Sequence, residues 1–162
     1  MTMILGGTNP AVTFPDGTIQ NTAYVATGSV IQVVNATYST QVSTTSQSFI
    51  DTGLTATITP KFATSKILVI LSQNGVTTSA TNIGVAISLY RNASSLGTVI
   101  NYAQYGTAST DASVGTTYLD SPATTSATTY KTQFAKTTGT SGTAYVNSDS
   151  GLSSFTLLEI AA

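Results

Sequence analysis

Carboxylates are the first residues in this sequence that could do chemistry. The 162-residue chain contains neither His nor Cys, so the usual general base near neutral pH and the strongest nucleophile are both missing. Two carboxyl groups could still hydrolyse a glycosidic bond, and Asp111 with Asp120 is the one such pair in a plausible loop region. Aspartates also commonly stabilise turns, and we favour that interpretation. We therefore expect a protein that is not an enzyme.

Two other kinds of chemical site are weaker still. Ser65 and Lys66 are adjacent, and neighbouring residues of a strand point to opposite faces, so the lysine is poorly placed to take the serine proton. Calcium sites need clustered carboxylate and carbonyl oxygens, and the sequence contains no Asp-x-Asp-x cluster. We expect neither a metal nor a cofactor.

A segment with the composition of a carbohydrate site runs from Asn101 to Gly106. Its aromatic and amide side chains are those that usually contact sugars, and we expect a candidate glycan-binding loop formed by Asn101, Tyr102, Gln104 and Tyr105. Tyrosine is also common in packing and in subunit interfaces, so a purely structural role for this segment is the alternative.

Glu159 interrupts an otherwise apolar last strand. A buried charge at that position needs a partner. Lys66 or Arg91 could supply it, from the same chain or from a neighbouring copy. We predict Glu159 and Arg91 as a candidate buried interface charge pair.

The overall composition is poor in charge. Only 7% of the residues are charged, against about 25% in an ordinary soluble domain, and roughly a third are Thr or Ser. Such a surface is kept wet by hydroxyl groups or is covered by neighbouring chains. The basic residues are few and scattered, which argues against nucleic acid as a partner; they are Lys61, Lys66, Arg91, Lys131 and Lys136.

Neither membrane insertion nor Sec export is predicted. The longest apolar run, Ile67 to Leu71, is far shorter than the roughly 20 residues needed to cross a bilayer. The first residues, MTMILGG, lack the cationic and long apolar regions of a signal peptide. We expect synthesis in the cytoplasm without a signal peptide.

Residues with a two-residue period must position whatever site the chain carries. Leu54, Ala56 and Ile58 alternate with threonines up to Pro60, which predicts a half-buried strand. The run Ile67–Leu71 is apolar on both parities, as in a strand covered by two layers. Further strands are predicted at Val30–Tyr38, Ile83–Tyr90, Tyr130–Phe134, Ala144–Val146 and Phe155–Ile160.

Many short strands separated by turn residues predict an all-β fold, an antiparallel β-sandwich that is jelly-roll-like. No window keeps a helical stripe, so we expect essentially no helix. Glycine and proline crowd the segment before Gly28, which suits an extended arm rather than a central strand. The predicted organisation is therefore an N-terminal arm over residues 1–28 and a knob domain over 29–162.

The arm also carries a recognisable motif. Phe14-Pro15-Asp16-Gly17-Thr18-Ile19-Gln20-Asn21-Thr22-Ala23 resembles the F-P-D-G-T-x-Q-x-T-A segment that recurs in bacteriophage tail-fibre and related virion proteins. Downstream, Ser65-Lys66-Ile67-Leu68-Val69 and the closing Phe155–Ala161 are similar to the knob module that often follows it. The resemblance marks as attachment residues Phe14, Pro15, Asp16, Gly17, Thr18 and Gln20.

The resemblance implies a virion surface protein, with a knob of the complement and tumour-necrosis-factor type that forms a homotrimer. Implied partners are other virion proteins, in the capsid or in a tail or baseplate platform. The resemblance together with the hydroxyl- and tyrosine-rich loops also suggests adhesion to host or environmental glycans, with cell-surface carbohydrate as a partner. The alternative is a capsid decoration protein that cements the particle through its arm. Composition supports assembly independently, because excess apolar content with few charges suits large subunit contacts.

Overall fold

The computed structural model describes residues 12–13, 15–20, 25–104, 111–137 and 141–162, and strands dominate throughout. These residues contain no α-helix, only a 3₁₀ turn at Ser148–Ser150. In chain order the strands are β1 (Val12–Thr13), β2 (Ile19–Gln20), β3 (Val30–Tyr38), β4 (Val42–Thr44), β5 (Ile50–Ile58), β6 (Lys66–Thr78), β7 (Ile83–Arg91), β8 (Ser94–Gln104), β9 (Ala112–Asp120), β10 (Thr128–Lys136), β11 (Ala144–Val146) and β12 (Ser153–Ile160).

Two antiparallel sheets face each other. One has the order β5-β10-β7-β8, and the other runs β3-β12-β6-β11-β4 with β9 also paired to β6. Strands β11 and β12 follow one another along β6, since Tyr145 pairs with Thr77 and Ser154 with Ser72. The antiparallel, jelly-roll-like β-sandwich predicted from the sequence is confirmed.

Strand β5 shows how the alternating pattern fixes this arrangement. Leu54, Ala56 and Ile58 are buried while the residues between them are exposed. A strand whose side chains alternate between core and solvent must lie at the surface of a two-layer structure. The predicted half-buried strand is confirmed.

The interior contains two apolar clusters, one toward each end of the sandwich. The first is formed by Leu54, Ala56, Ile58, Ile67, Val69, Leu71, Leu89, Tyr130, Phe155 and Leu157. The second is formed by Val76, Val85, Ile87, Val114, Phe134, Ala144 and Val146. Both clusters draw residues from both sheets, so each holds the two layers together.

A belt of buried polar side chains lies between these clusters along the strands. It consists of Thr52, Gln73, Thr132, Asn147 and Ser153, each with no measurable exposure. Thr132 Oγ1 donates to Gln73 Oε1 at 3.0 Å, which joins β10 of one sheet to β6 of the other. Gln73 Nε2 in turn donates to Asn147 Oδ1 and to Ser153 Oγ, both at 2.9 Å. Buried polar groups are tolerated because each has partners.

Strand β6 differs from its prediction in one respect. Ile67, Val69 and Leu71 are buried as expected, but Leu68 is only half-buried and Ile70 is 39% exposed. A two-layer sandwich covers one face of each sheet, and no described part of the chain covers the other face. The prediction of a strand covered on both sides is wrong within one chain.

Candidate functional site

The uncovered face of the β3-β12-β6-β9 sheet carries a row of aliphatic side chains. In the strand register Val33 lies opposite Leu158, Leu158 opposite Leu68, and Leu68 opposite Leu119. Adjacent strands are about 4.8 Å apart, so the row spans about 14 Å across four strands. We call this row, with the neighbouring Ile70, the aliphatic face.

The aliphatic face is open to solvent. Val33 is 58% exposed and Leu119 is 52% exposed, while Leu68 and Leu158 are half-buried by their neighbours. Threonines flank Ile70, because the register places Thr156 and Thr117 on either side of it. Contiguous apolar surface of this kind usually marks a contact with another protein.

Charge is scarce on the same face. At the outward positions of β3, β12, β6 and β9, all of which the structure describes, the one charged residue is Lys66, opposite Ile160. Fully burying an aliphatic side chain contributes about 1.5–3 kcal/mol. The geometry therefore suits association through surface burial.

A partly buried ion pair joins the two sheets. Arg91 Nη1 donates to both carboxylate oxygens of Asp120, at 2.8 and 2.9 Å, and Tyr130 donates its phenol proton to Asp120 Oδ2 at 2.6 Å. Burial, together with the hydrogen bond to the Asp120 carboxylate, raises the pKa of Tyr130. The phenol is thus held as a neutral donor.

Glu159 and Arg91 do not form the predicted pair. Glu159 is fully buried, and its Oε1 accepts the backbone N–H groups of Lys61 at 2.7 Å and Phe62 at 3.3 Å. Arg91 instead forms an ion pair with Asp120. Backbone donors satisfy a carboxylate without a second charge, and full burial within one chain leaves Glu159 out of reach of a neighbouring copy.

The two candidate pairs for catalysis are also separated. Asp111 precedes β9 and Asp120 ends it, which places them about 30 Å apart along the strand, far beyond the roughly 5–9.5 Å between glycosidase carboxyls. Ser65 is buried while Lys66 is exposed, as expected for adjacent residues on opposite faces. Neither pair can act as a unit.

The segment predicted as a glycan-binding loop is largely a strand. Asn101, Tyr102 and Gln104 belong to β8, where they pair with Ala86, Val85 and Ile83 of β7. The loop prediction is wrong for these three residues, since the hairpin partner extends the ladder further than the polar composition suggested. Asn101 is exposed, and Tyr105 lies outside the described residues.

The described residues of the arm motif, 15–20, lie in a small hairpin. β1 pairs with β2 across the turn at residues 15–18, and Asp16 Oδ1 accepts the Thr18 backbone N–H at 3.0 Å and its hydroxyl at 2.7 Å. These bonds lower the pKa of Asp16. Pro15, Gly17 and Thr18 are exposed in this turn, Gln20 ends β2, and Phe14 lies outside the described residues.

The predicted boundary between arm and sandwich, at Gly28 and Ser29, lies next to the C-terminus. Gly28 N–H donates to the Ala161 carbonyl at 2.7 Å, and Ala161 N–H donates to the Ser29 carbonyl at 2.9 Å. From there β3 runs nine residues away from the arm. One end of the sandwich is thereby defined as the arm end.

The described part of the chain contains no group of three or more potential metal-binding residues among Asp and Glu. Within those same residues, no helix is long and apolar enough to cross a membrane.

Sequence reasoning missed the aliphatic face as a site. The signal was present in the run Ile67–Leu71. Its residues Leu68 and Ile70 are apolar but point away from the core, and a two-layer fold has no layer to cover them. The partner of Arg91 was missed because Asp120 was considered only as a loop residue.

Comparison with known proteins identifies the fold. No protein-family model matches the chain, and no curated protein matches it. Among solved structures, it is similar to VP2 in an infectious bursal disease virus subviral particle, with 15% identity and a TM-score of 0.50 over 82% of this chain and 34% of that one. It is likewise similar to a chain of the T13 infectious bursal disease virus particle, with 15% identity and a TM-score of 0.50 over 94% of this chain and 40% of that one.

The chain spans between about a third and two-fifths of these neighbours. At such low identity the likeness shows the fold alone.

Proposed function

We propose that this chain is a structural protein of a bacteriophage virion, a surface knob that assembles as a homotrimer through its aliphatic face. The observation that carries the proposal is the exposed row from Val33 to Leu119. The sandwich has the fold of chains found in virus particles, and the arm motif resembles that of virion fibres.

A second copy of this chain is the partner that best suits the aliphatic face. The one charge at the outward positions of these strands is that of Lys66, which lies two residues from Leu68 along β6 and outside the row, so the row itself brings no like charges together. A net charge of −1 also leaves little repulsion between copies. The number three rests on the resemblance to trimeric knobs of this architecture.

The arm is proposed to attach the knob to other virion proteins, in a capsid or in a tail or baseplate platform. Because the arm meets the sandwich beside Ala161, attachment there directs the opposite end of the strands outward. Adhesion to host or environmental glycans is proposed for that outward end.

Sedimentation of the purified protein tests the assembly. We expect a mass three times the 16.6 kDa of one chain, and a shift to smaller species in a double variant, Val33→Thr with Leu119→Thr. Leu152→Thr is the matched control, because Leu152 is equally exposed, at 58%, and precedes β12, six residues before Leu158 of the row. A single-chain mass for the wild-type protein at micromolar concentration would overturn the proposal.

A further inference from the structure

We propose that a polar cavity at the end of the sandwich opposite the arm binds neutral or amino sugars. The inference rests on the adhesion part of the proposed function and names its site and ligand class. The cavity has a volume of about 360 Å³, within the range of small-molecule sites. Its lining includes Gln41, Thr77, Asp111, Tyr145, Ser148 and Asp149.

Tyr145 is positioned by the short strand β11. Its neighbours Ala144 and Val146 are buried in the second apolar cluster, so the alternation of the strand turns Tyr145 to the outer face. There it pairs with Ser43 on one side and Thr77 on the other. A half-buried tyrosine ring in a polar depression can pack against the apolar face of a sugar ring.

The turn that carries Ser148 and Asp149 is held in one conformation. Asn147, Asp149 and Ser150 have φ values of 54°, 50° and 59°, a left-handed conformation that costs free energy for residues other than glycine. Asn147 anchors the turn through the polar belt, and its Nδ2 donates to the Thr40 carbonyl at 3.0 Å. The cavity wall is therefore ordered before any ligand arrives, which lowers the entropic cost of binding.

Close packing beneath the turn adds to this rigidity. Gly75 of β6 has a φ of 59°, and a Cβ there would collide with the backbone of Ser148. Asn147 N–H also donates to the Asn74 carbonyl at 3.0 Å. Backbone strain and a buried anchor together at a cavity are features of binding sites more than of plain connections.

The lining chemistry selects the ligand class. The carboxylates of Asp111 and Asp149 accept hydrogen bonds from sugar hydroxyl or ammonium groups, and the Gln41 amide can both donate and accept. Among the described residues that line the cavity there is no Lys or Arg. An acidic sugar would meet like charge without a compensating cation, so sialylated and uronic ligands are disfavoured.

A glycan array probed with the full-length protein, followed by titration of each hit, tests the inference. We expect neutral or amino glycans to bind, and their sialylated counterparts to bind at least tenfold more weakly. Tyr145→Thr, which keeps a strand-forming residue, should weaken binding about tenfold. Asp149→Asn should weaken it while preserving the turn, because Asn tolerates the left-handed conformation.

Two control variants distinguish this cavity from residues 101–104 of β8 as the binding site. Tyr118→Thr removes a 39% exposed tyrosine from β9, and Asn101→Ala alters β8; both should bind glycans as the wild type does. Loss of binding in Asn101→Ala alone, or no binding to any neutral or amino glycan, would overturn the inference. A trimer that binds no such glycan would refute the cavity and leave the assembly intact, whereas a monomer that binds would do the reverse.

Discussion

Tyr130 and Asp120 lie 2.6 Å apart, phenol oxygen to carboxylate oxygen, across the gap between the two sheets. Tyr130 comes from β10 of one sheet and Asp120 from the last position of β9 in the other. Arg91 of β7 completes the group. The contact makes this end of the sandwich sensitive to the protonation state of a single phenol.

Stability should fall in alkaline solution because of this contact. The folded state raises the pKa of Tyr130 above its ordinary value, so above about pH 10 the unfolded chain releases a proton that the folded chain retains. Below pH 10 the stabilisation that the Tyr130 contact provides is fully present. Above pH 10 the free energy of unfolding should fall by about 1.4 kcal/mol per pH unit. Urea denaturation between pH 8 and pH 11 measures it.

Tyr130→Phe provides the control for that titration. The variant should lose stability at pH 8, since Asp120 gives up a buried hydrogen bond, and its pH dependence above pH 10 should be shallower than that of the wild type. Parallel curves for the two proteins would show that other groups cause the alkaline loss.

The hydrogen bonds of the polar belt should stabilise the fold more than an apolar side chain of similar size at position 73 would. Gln73→Leu deprives Thr132, Asn147 and Ser153 of a buried partner, and we expect a loss of about 2–3 kcal/mol in the free energy of unfolding. Gln47→Leu, at an exposed position, should change stability by less than about 0.5 kcal/mol. Equal effects in urea denaturation would contradict a structural role for the belt.

Removing the arm should leave the folding of the sandwich intact and abolish its attachment to the particle. A protein that begins at Gly28 keeps the bond from Gly28 to Ala161, so its melting temperature should stay close to that of the full chain. Its incorporation into particles, measured by mass spectrometry of purified virions, should be lost. Wild-type incorporation would contradict attachment through the arm, and loss of particle stability without the protein would favour the decoration alternative.

The periodicity of the sequence was sufficient to predict most strands. A strand that packs on a core shows its burial pattern directly in its sequence. This local rule explains the alternation over residues 54–58 and the opposite faces of Tyr130 and Lys131. Strand β3 was predicted with its observed bounds for the same reason.

Long-range partners could not be predicted in this way. Gln73 and Thr132 are 59 residues apart, and nothing in either local pattern indicates that they meet between two apolar clusters. The partner of Arg91 likewise depends on how the strands are arranged in space, since β7 and β9 belong to different sheets. The 101–104 segment became a strand through its pairing with β7, which outweighed its polar composition.

The most direct test of the central claim compares one thiol on the aliphatic face with one outside it. The chain has no natural cysteine, and Leu119 and Leu152 are 52% and 58% exposed within one chain. The measurement is the rate at which a maleimide labels Leu119→Cys and Leu152→Cys at micromolar protein concentration. If copies bury the face against one another, position 119 should react at least tenfold more slowly than position 152; equal rates would contradict the assembly.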